Sequence, residues 1–210
     1  MRLERLPLVL GLSLCLGLAV CLTQGLAQPV QADERLWGDR YDVLVGQPGV
    51  EVTLGQTENG TRQRGFSLPG GVTLSQTDGV GTMGMDRSGK GALLCTWEIY
   101  LMIRLALDHC QGLEMPQHAA ALDAGLARME RFIVANSYGF WTEAAIGARR
   151  QRRIDRLLAA KPAGAERVDC SRGDMKDLAT RLTVVPPDQM STELDAAMVI
   201  PRFPVMNPCL

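Results

Sequence analysis

Few residues in this 210-residue chain have the type and spacing to do chemistry. The most suggestive stretch is Gly84-Met85-Asp86-Arg87-Ser88-Gly89-Lys90-Gly91. Its glycines and lysine have the spacing of a phosphate-binding loop, in which backbone amides approach the phosphates and lysine neutralises them. The match breaks down in detail. Gly91 stands where Ser or Thr would hold magnesium, and no convincing strand precedes the stretch. It reads as a glycine-rich link.

The chain has two histidines, His109 and His118. Asp108-His109-Cys110 has the residue types of a nucleophile and its base. Such a pair works only when the side chains touch, and neighbours on a helix point apart. His109 also suits a helix end, where a cation meets the negative end of the dipole. Glu98 is eleven residues earlier on the same helical face, about 16 Å away at 1.5 Å per residue. That is too far for a direct pair. Glu98, Asp108 and His109 are the candidates for acid–base work in a cleft beside their helix.

Arg149, Arg150, Arg152, Arg153 and Arg156 form a basic stripe. Such a stripe suits an anionic protein face or a membrane surface. The plain alternative is a solvated helix face, partly offset by Glu143 and Asp155. Asn59-Gly60-Thr61 is a glycosylation sequon, which counts only in a eukaryotic secretory pathway.

The first residues point to export. Arg2 and Arg5 precede an apolar run over 6–22, followed by a polar end with small residues. This is the pattern of a secretory signal peptide. Small residues at Gly25 and Ala27 favour cleavage after Ala27, with a second site as late as Ala32. An uncleaved anchor is the competing reading, since the run is at the short limit for a membrane span. Lipid attachment at Cys21 is disfavoured by the bulk of Val20. Residues 91–107 are also apolar, but Glu98 and Arg104 would be costly in lipid. The expected location is therefore periplasmic or secreted, where a phosphate-binding loop would seldom meet ATP.

Export changes the meaning of the cysteines. Cys15 and Cys21 leave with the leader, and Cys95, Cys110, Cys170 and Cys209 remain. Four cysteines in an exported chain imply two disulfides. No Cys-x-x-Cys pair is present, so zinc is disfavoured. Cys95 and Cys110 lie on one helix about 22 Å apart, well beyond the roughly 7 Å a disulfide allows. The preferred pairing is Cys110 with Cys170 and Cys95 with Cys209. No metal and no cofactor is expected.

Residues 33–91 hold 13 of the 22 glycines. Alternating runs at 41–45 and 50–54 flank the turn Gly46-Gln47-Pro48-Gly49. Further turns fall at 58–61 and 68–71, and 72–75 reads as a short strand. Residues 76–91 have little to bury. The arm is expected to hold a hairpin or small sheet, or to be partly disordered. From 92 onward the pattern is helical. Residues 92–109 are apolar nearly all round, as in a central helix. Leu122, Leu126, Met129 and Ile133 stripe a second helix over 117–136. A break around Gly139 follows. Thr142 caps a third helix over 142–160, with Ile146, Ile154, Leu157 and Leu158 inward. A fourth is expected over 172–182 and a short one over 191–198. Pro201, Pro204 and Pro208 keep the tail extended, and Cys209 pins it back.

The formal net charge is −1, and apolar residues make up 46%. Neither nucleic acid nor an acidic solvating tail is indicated. Aromatics are 5%, too few for a base-stacking surface. Nothing marks an oligomeric state. The expected fold is mainly α: a small antiparallel bundle of about four helices, stapled by disulfides, with a glycine-rich, partly β or disordered N-terminal arm. Three segments follow: the signal peptide over 1–27, the arm over 33–91 and the helical domain over 92–210. The expected function is an exported non-enzymatic binding or accessory protein of the cell envelope. The alternative is an extracytoplasmic, hydrolase-like enzyme using Glu98, Asp108 or His109.

Overall fold

The computed structural model describes residues 40–110, 115–159, 177, 180–181 and 184–209. The leader, Cys170 and most of the helix expected over 172–182 lie outside the described residues. A short 3-10 helix, Arg40–Leu44, leads into four strands: β1 (Glu51–Gln56), β2 (Arg62–Leu68), β3 (Val72–Thr77) and β4 (Gly81–Asp86). Helices α1 (Leu93–His109), α2 (Pro116–Ala135), α3 (Glu143–Ala159) and α4 (Pro187–Ala197) follow.

The mainly α expectation is thus corrected. Over residues 40–91 the glycine-rich arm forms the small sheet that was one of its expected forms, larger than a hairpin. It is a four-stranded antiparallel meander in the order β1-β2-β3-β4. Val52 pairs with Phe66, Phe66 with Leu74 and Leu74 with Gly84 across the sheet. The expected turns at 58–61 and 68–71 join β1 to β2 and β2 to β3. The run 41–45 forms the 3-10 turn instead of a strand.

One face of the sheet is inward, with the period of two that strands impose. Phe66, Leu68, Val72 and Leu74 are buried there with Leu44, Ala92, Cys95, Phe203 and Val205. The same face also carries Arg64, Gln76 and Asp86, all buried. Each is satisfied, as buried polar groups must be. Arg64 donates from Nε and Nη2 to Gln76 Oε1 at 3.1 and 2.9 Å, and from Nη1 to Asp42 at 2.7 Å.

Asp86 is held by Arg202 of the C-terminal segment. Arg202 Nε donates to Asp86 Oδ2 at 2.5 Å, and both side chains are 1% exposed. Its other nitrogens donate to the carbonyls of Ala197, Ile200 and Gly91. This segment lies along β4, where Asp86 N donates to Asn207 O at 2.7 Å. Two glycines let it come so close. A Cβ on Gly84 would lie 2.5 Å from Val205 Cγ1, and one on Gly70 would lie 2.7 Å from Pro201 O. Cys209 then reaches Cys95 at the start of α1, with Cα atoms 5.5 Å apart. This pairing is as expected from the sequence. Cys110 is fully buried and also disulfide-bonded. Its expected partner, Cys170, lies outside the described residues.

The helical layer follows the sequence more closely. Helix α1 is central, with Trp97, Leu101, Ile103 and Ala106 almost wholly buried. The whole expected stripe of α2 is buried as well. Arg104 bonds Asp123, and Trp97 bonds Glu130. One number falls by seven as the other rises by seven, so α1 and α2 are antiparallel, as short helix links favour. Thr142 caps α3 by accepting from Ala145 N at 3.1 Å. Ile146 of α3 is buried, but Leu158 is exposed. Helix α4 is longer than the expected 191–198, because Pro187 starts it at a position where proline is favoured. It packs on α2, where Leu194 lies near Gly125. No helix among the described residues is long and apolar enough to cross a membrane.

Candidate functional site

Glu98 lies in the middle of the most apolar helix, and its side chain is 4% exposed. A carboxylate cannot stay charged there without cations. Helix α3 supplies two. Arg149 and Arg153 stand four residues apart, one helical turn, and both reach Glu98. Arg149 Nε donates to Oε1 at 2.5 Å, and Arg153 Nε to Oε2 at 2.7 Å. Each oxygen is held by a guanidinium, so the carboxylate is committed to an ion-pair clamp inside the fold. Next to this clamp, Glu130 accepts from Trp97 Nε1 at 3.0 Å and from Arg150.

Three arginines of the basic stripe therefore turn inward. They tie α3 to α1 and α2. The other two, Arg152 and Arg156, are exposed. Neither has a carboxylate partner among the described residues; Arg156 Nε donates only to Arg152 O. Replacing Glu98 by alanine leaves two guanidiniums without their anion. Both are partly exposed and can turn to water, which softens the loss. The expected cost is about 2 kcal/mol, below the 3–5 kcal/mol of a fully buried broken pair. A urea melt measures it.

The other catalytic candidates do not gather around Glu98. Asp108 is exposed and pairs with Arg104 of its own helix. Burial pulls the Arg104 guanidinium down, but bonds and charges from Asp108 and Asp123 outweigh it and hold it above its ordinary value. His109 is half-buried, and no bond or ion pair joins it to either carboxylate. His118 Nε2 lies 3.2 Å from Val185 O and serves the fold. The stretch 84–91 is no phosphate loop. It is the end of β4 and a turn in which Ser88 N donates to Asp86 Oδ1 at 2.8 Å. No metal-binding group of three or more His, Cys, Asp or Glu occurs among the described residues.

A second site is absent from the sequence reading. The break between α2 and α3 is tightly built. Ser137 is fully buried. Its hydroxyl lies 3.1 Å from the carbonyls of Val134 and Trp141 and accepts from Trp141 N at 3.0 Å. Tyr138 and Gly139 are both left-handed, at φ 52° and 82°. A non-glycine residue there costs energy, and its surroundings must hold it. The outcome is an aromatic platform. Phe140 packs against Tyr41, Trp141 and Phe203, with centroids 4.7, 5.6 and 5.4 Å away. The Arg40 guanidinium lies 3.8 Å from the Phe140 centroid and 5.2 Å from that of Trp141. Arg149 lies 5.6 Å from Trp141. These groups line a cleft of about 230 Å³ between the sheet, the C-terminal segment and the start of α3. Only the Gly139 break hinted at it, because Arg40 and Trp141 are a hundred residues apart in sequence.

No family model, curated protein or solved structure matches the chain.

Proposed function

We propose that this chain is an exported, non-enzymatic binding or accessory protein of the cell envelope. The observation that supports the reading is the use made of its charged side chains. Glu98, the best candidate catalyst, has both carboxylate oxygens taken by Arg149 and Arg153. Asp108 is spent on Arg104. A hydrolase built on Glu98, Asp108 or His109 has no shared geometry to work with. The exposed arginines of α3, Arg152 and Arg156, offer a surface for an anionic partner.

The charge count favours an acidic protein face over a membrane. Each arginine near an anionic bilayer contributes about 1 kcal/mol, so two hold a membrane too weakly to act as an anchor. The test is a photo-crosslinking residue at position 152 or 156 in intact cells of the native host. The expected result is a discrete adduct with one envelope protein, lost in the Arg152→Glu/Arg156→Glu double variant. Cells that yield no adduct from either position, or adducts with lipid only, contradict the reading.

A further inference from the structure

We propose that the aromatic cleft beside Arg40 binds a small organic monoanion, a carboxylate carried on an apolar or single-ring body. This deepens the binding-protein reading and rests on it. Charge comes first. The Arg40 guanidinium has no carboxylate partner among the described residues, and its contacts are the faces of Phe140 and Trp141. A cation stacked on rings keeps the edge of its planar fork free, and that edge matches a carboxylate in two parallel bonds. The second cation of the cleft, Arg149, gives Nε and Nη2 to Glu98 and Met206. Its Nη1 has no acceptor among the described residues. Glu98 is shared between Arg149 and Arg153, so it offsets only part of the Arg149 charge, and Arg40 is the cation of the cleft with a free fork. A single planar fork standing on ring faces matches a carboxylate attached to a ring or short chain better than it matches a free, strongly hydrated phosphate.

The walls supply the second half of the recognition. Leu74, Leu94, Phe203 and Val205 are apolar, and the rings of Phe140 and Trp141 form the floor beneath the guanidinium. The lining is mixed: Thr82, Asn207, Arg40 and Arg149 stand among these apolar groups, and polar groups of this kind fix the orientation of a bound ring or chain. At about 230 Å³ the cleft is below the usual size for drug-like ligands and suits a single ring or a short chain. The left-handed Tyr138 supports the same conclusion. Its backbone strain is maintained by Ser137, and the residues it presents are the platform itself. A purely structural turn could place glycine at both positions and avoid that cost.

The probe is benzoate, titrated calorimetrically into the oxidised, purified protein, with benzamide, benzylamine and inorganic phosphate alongside. Saturable benzoate binding with a Kd of about 1 mM or tighter is expected, which is about 4 kcal/mol. Benzamide, benzylamine and phosphate bind at least about tenfold more weakly, because each lacks the charge or the body. Arg40→Gln removes the fork from an exposed position and loses benzoate binding at least about tenfold, with an unchanged melting temperature. Arg40→Lys keeps the charge without the fork and falls between, which serves if the glutamine variant is unstable. Equal binding of benzoate and benzamide, benzoate binding unmoved by both Arg40 variants, or no saturation by about 10 mM overturns the proposal. Failure here, with a partner still captured at position 152 or 156, removes the ligand and leaves the accessory role standing.

Discussion

Replacing Arg202 by methionine lowers stability by about 3–5 kcal/mol, the cost of breaking a fully buried ion pair from one side. Asp86 is then left with its side chain 1% exposed and no cation beside it. The carbonyls of Ala197, Ile200 and Gly91 lose their donors in the same step. A domain of this size has about 5–15 kcal/mol in total, so a large part of the margin goes. The midpoint of a urea melt reads the loss. A drop under about 1 kcal/mol would put the pair on the level of a surface ion pair and contradict its role. Removing both charges, Arg202→Met with Asp86→Leu, recovers only part of the loss, because the carbonyls stay without donors.

Replacing Cys209 by serine has an effect of similar size. The Cys95–Cys209 bridge closes a loop with a sequence separation of 114. Chain entropy alone gives about 4–5 kcal/mol for a loop of that length. Measured losses on removing a native bridge are about 2–5 kcal/mol. Arg202 and Cys209 hold the same C-terminal segment, so their effects are coupled. With either anchor gone, Phe203 and Val205 still have their buried sites on the sheet. With both gone, only those contacts oppose fraying. Hydrogen exchange at the Asp86 amide, which donates to Asn207 O, is therefore expected to stay slow in each single variant and become fast in the double variant. Fast exchange in the serine variant alone would show that Arg202 contributes little to seating the segment.

The helices were legible because their signals are local. The spacing of Leu122, Leu126, Met129 and Ile133 names the buried face of α2, and Thr142 announces α3. The sheet was legible only in part: the runs at 50–54 and 72–75 and the turns at 58–61 and 68–71 were, but β2 and β4 were not, for a physical reason. Its inward face is not uniformly apolar. Arg64, Gln76 and Asp86 stand at inward positions, so β2 reads R-Q-R-G-F-S-L and β4 reads G-T-M-G-M-D without alternation. What makes those positions tolerable is remote in sequence: Asp42 for Arg64, and Arg202 for Asp86. The glycines that suggested a loose arm are partly there to let the C-terminal segment approach, as Gly84 does against Val205. Glu98 is the opposite case, a lost opportunity. A lone carboxylate in an apolar helix requires cations, and Arg149 and Arg153 stood one turn apart to supply them. The stripe read as a surface feature is half an internal clamp.

An accessory role in the envelope depends on export, and one measurement addresses it directly: the intact mass of the protein purified from its native host, before and after reduction. The account predicts a chain beginning near Gln28 or Asp33, with Cys95 and Cys209 oxidised and a gain of two hydrogens for each disulfide reduced. A chain that retains Met1 with free thiols would contradict export, the oxidised bridge and the envelope partner together.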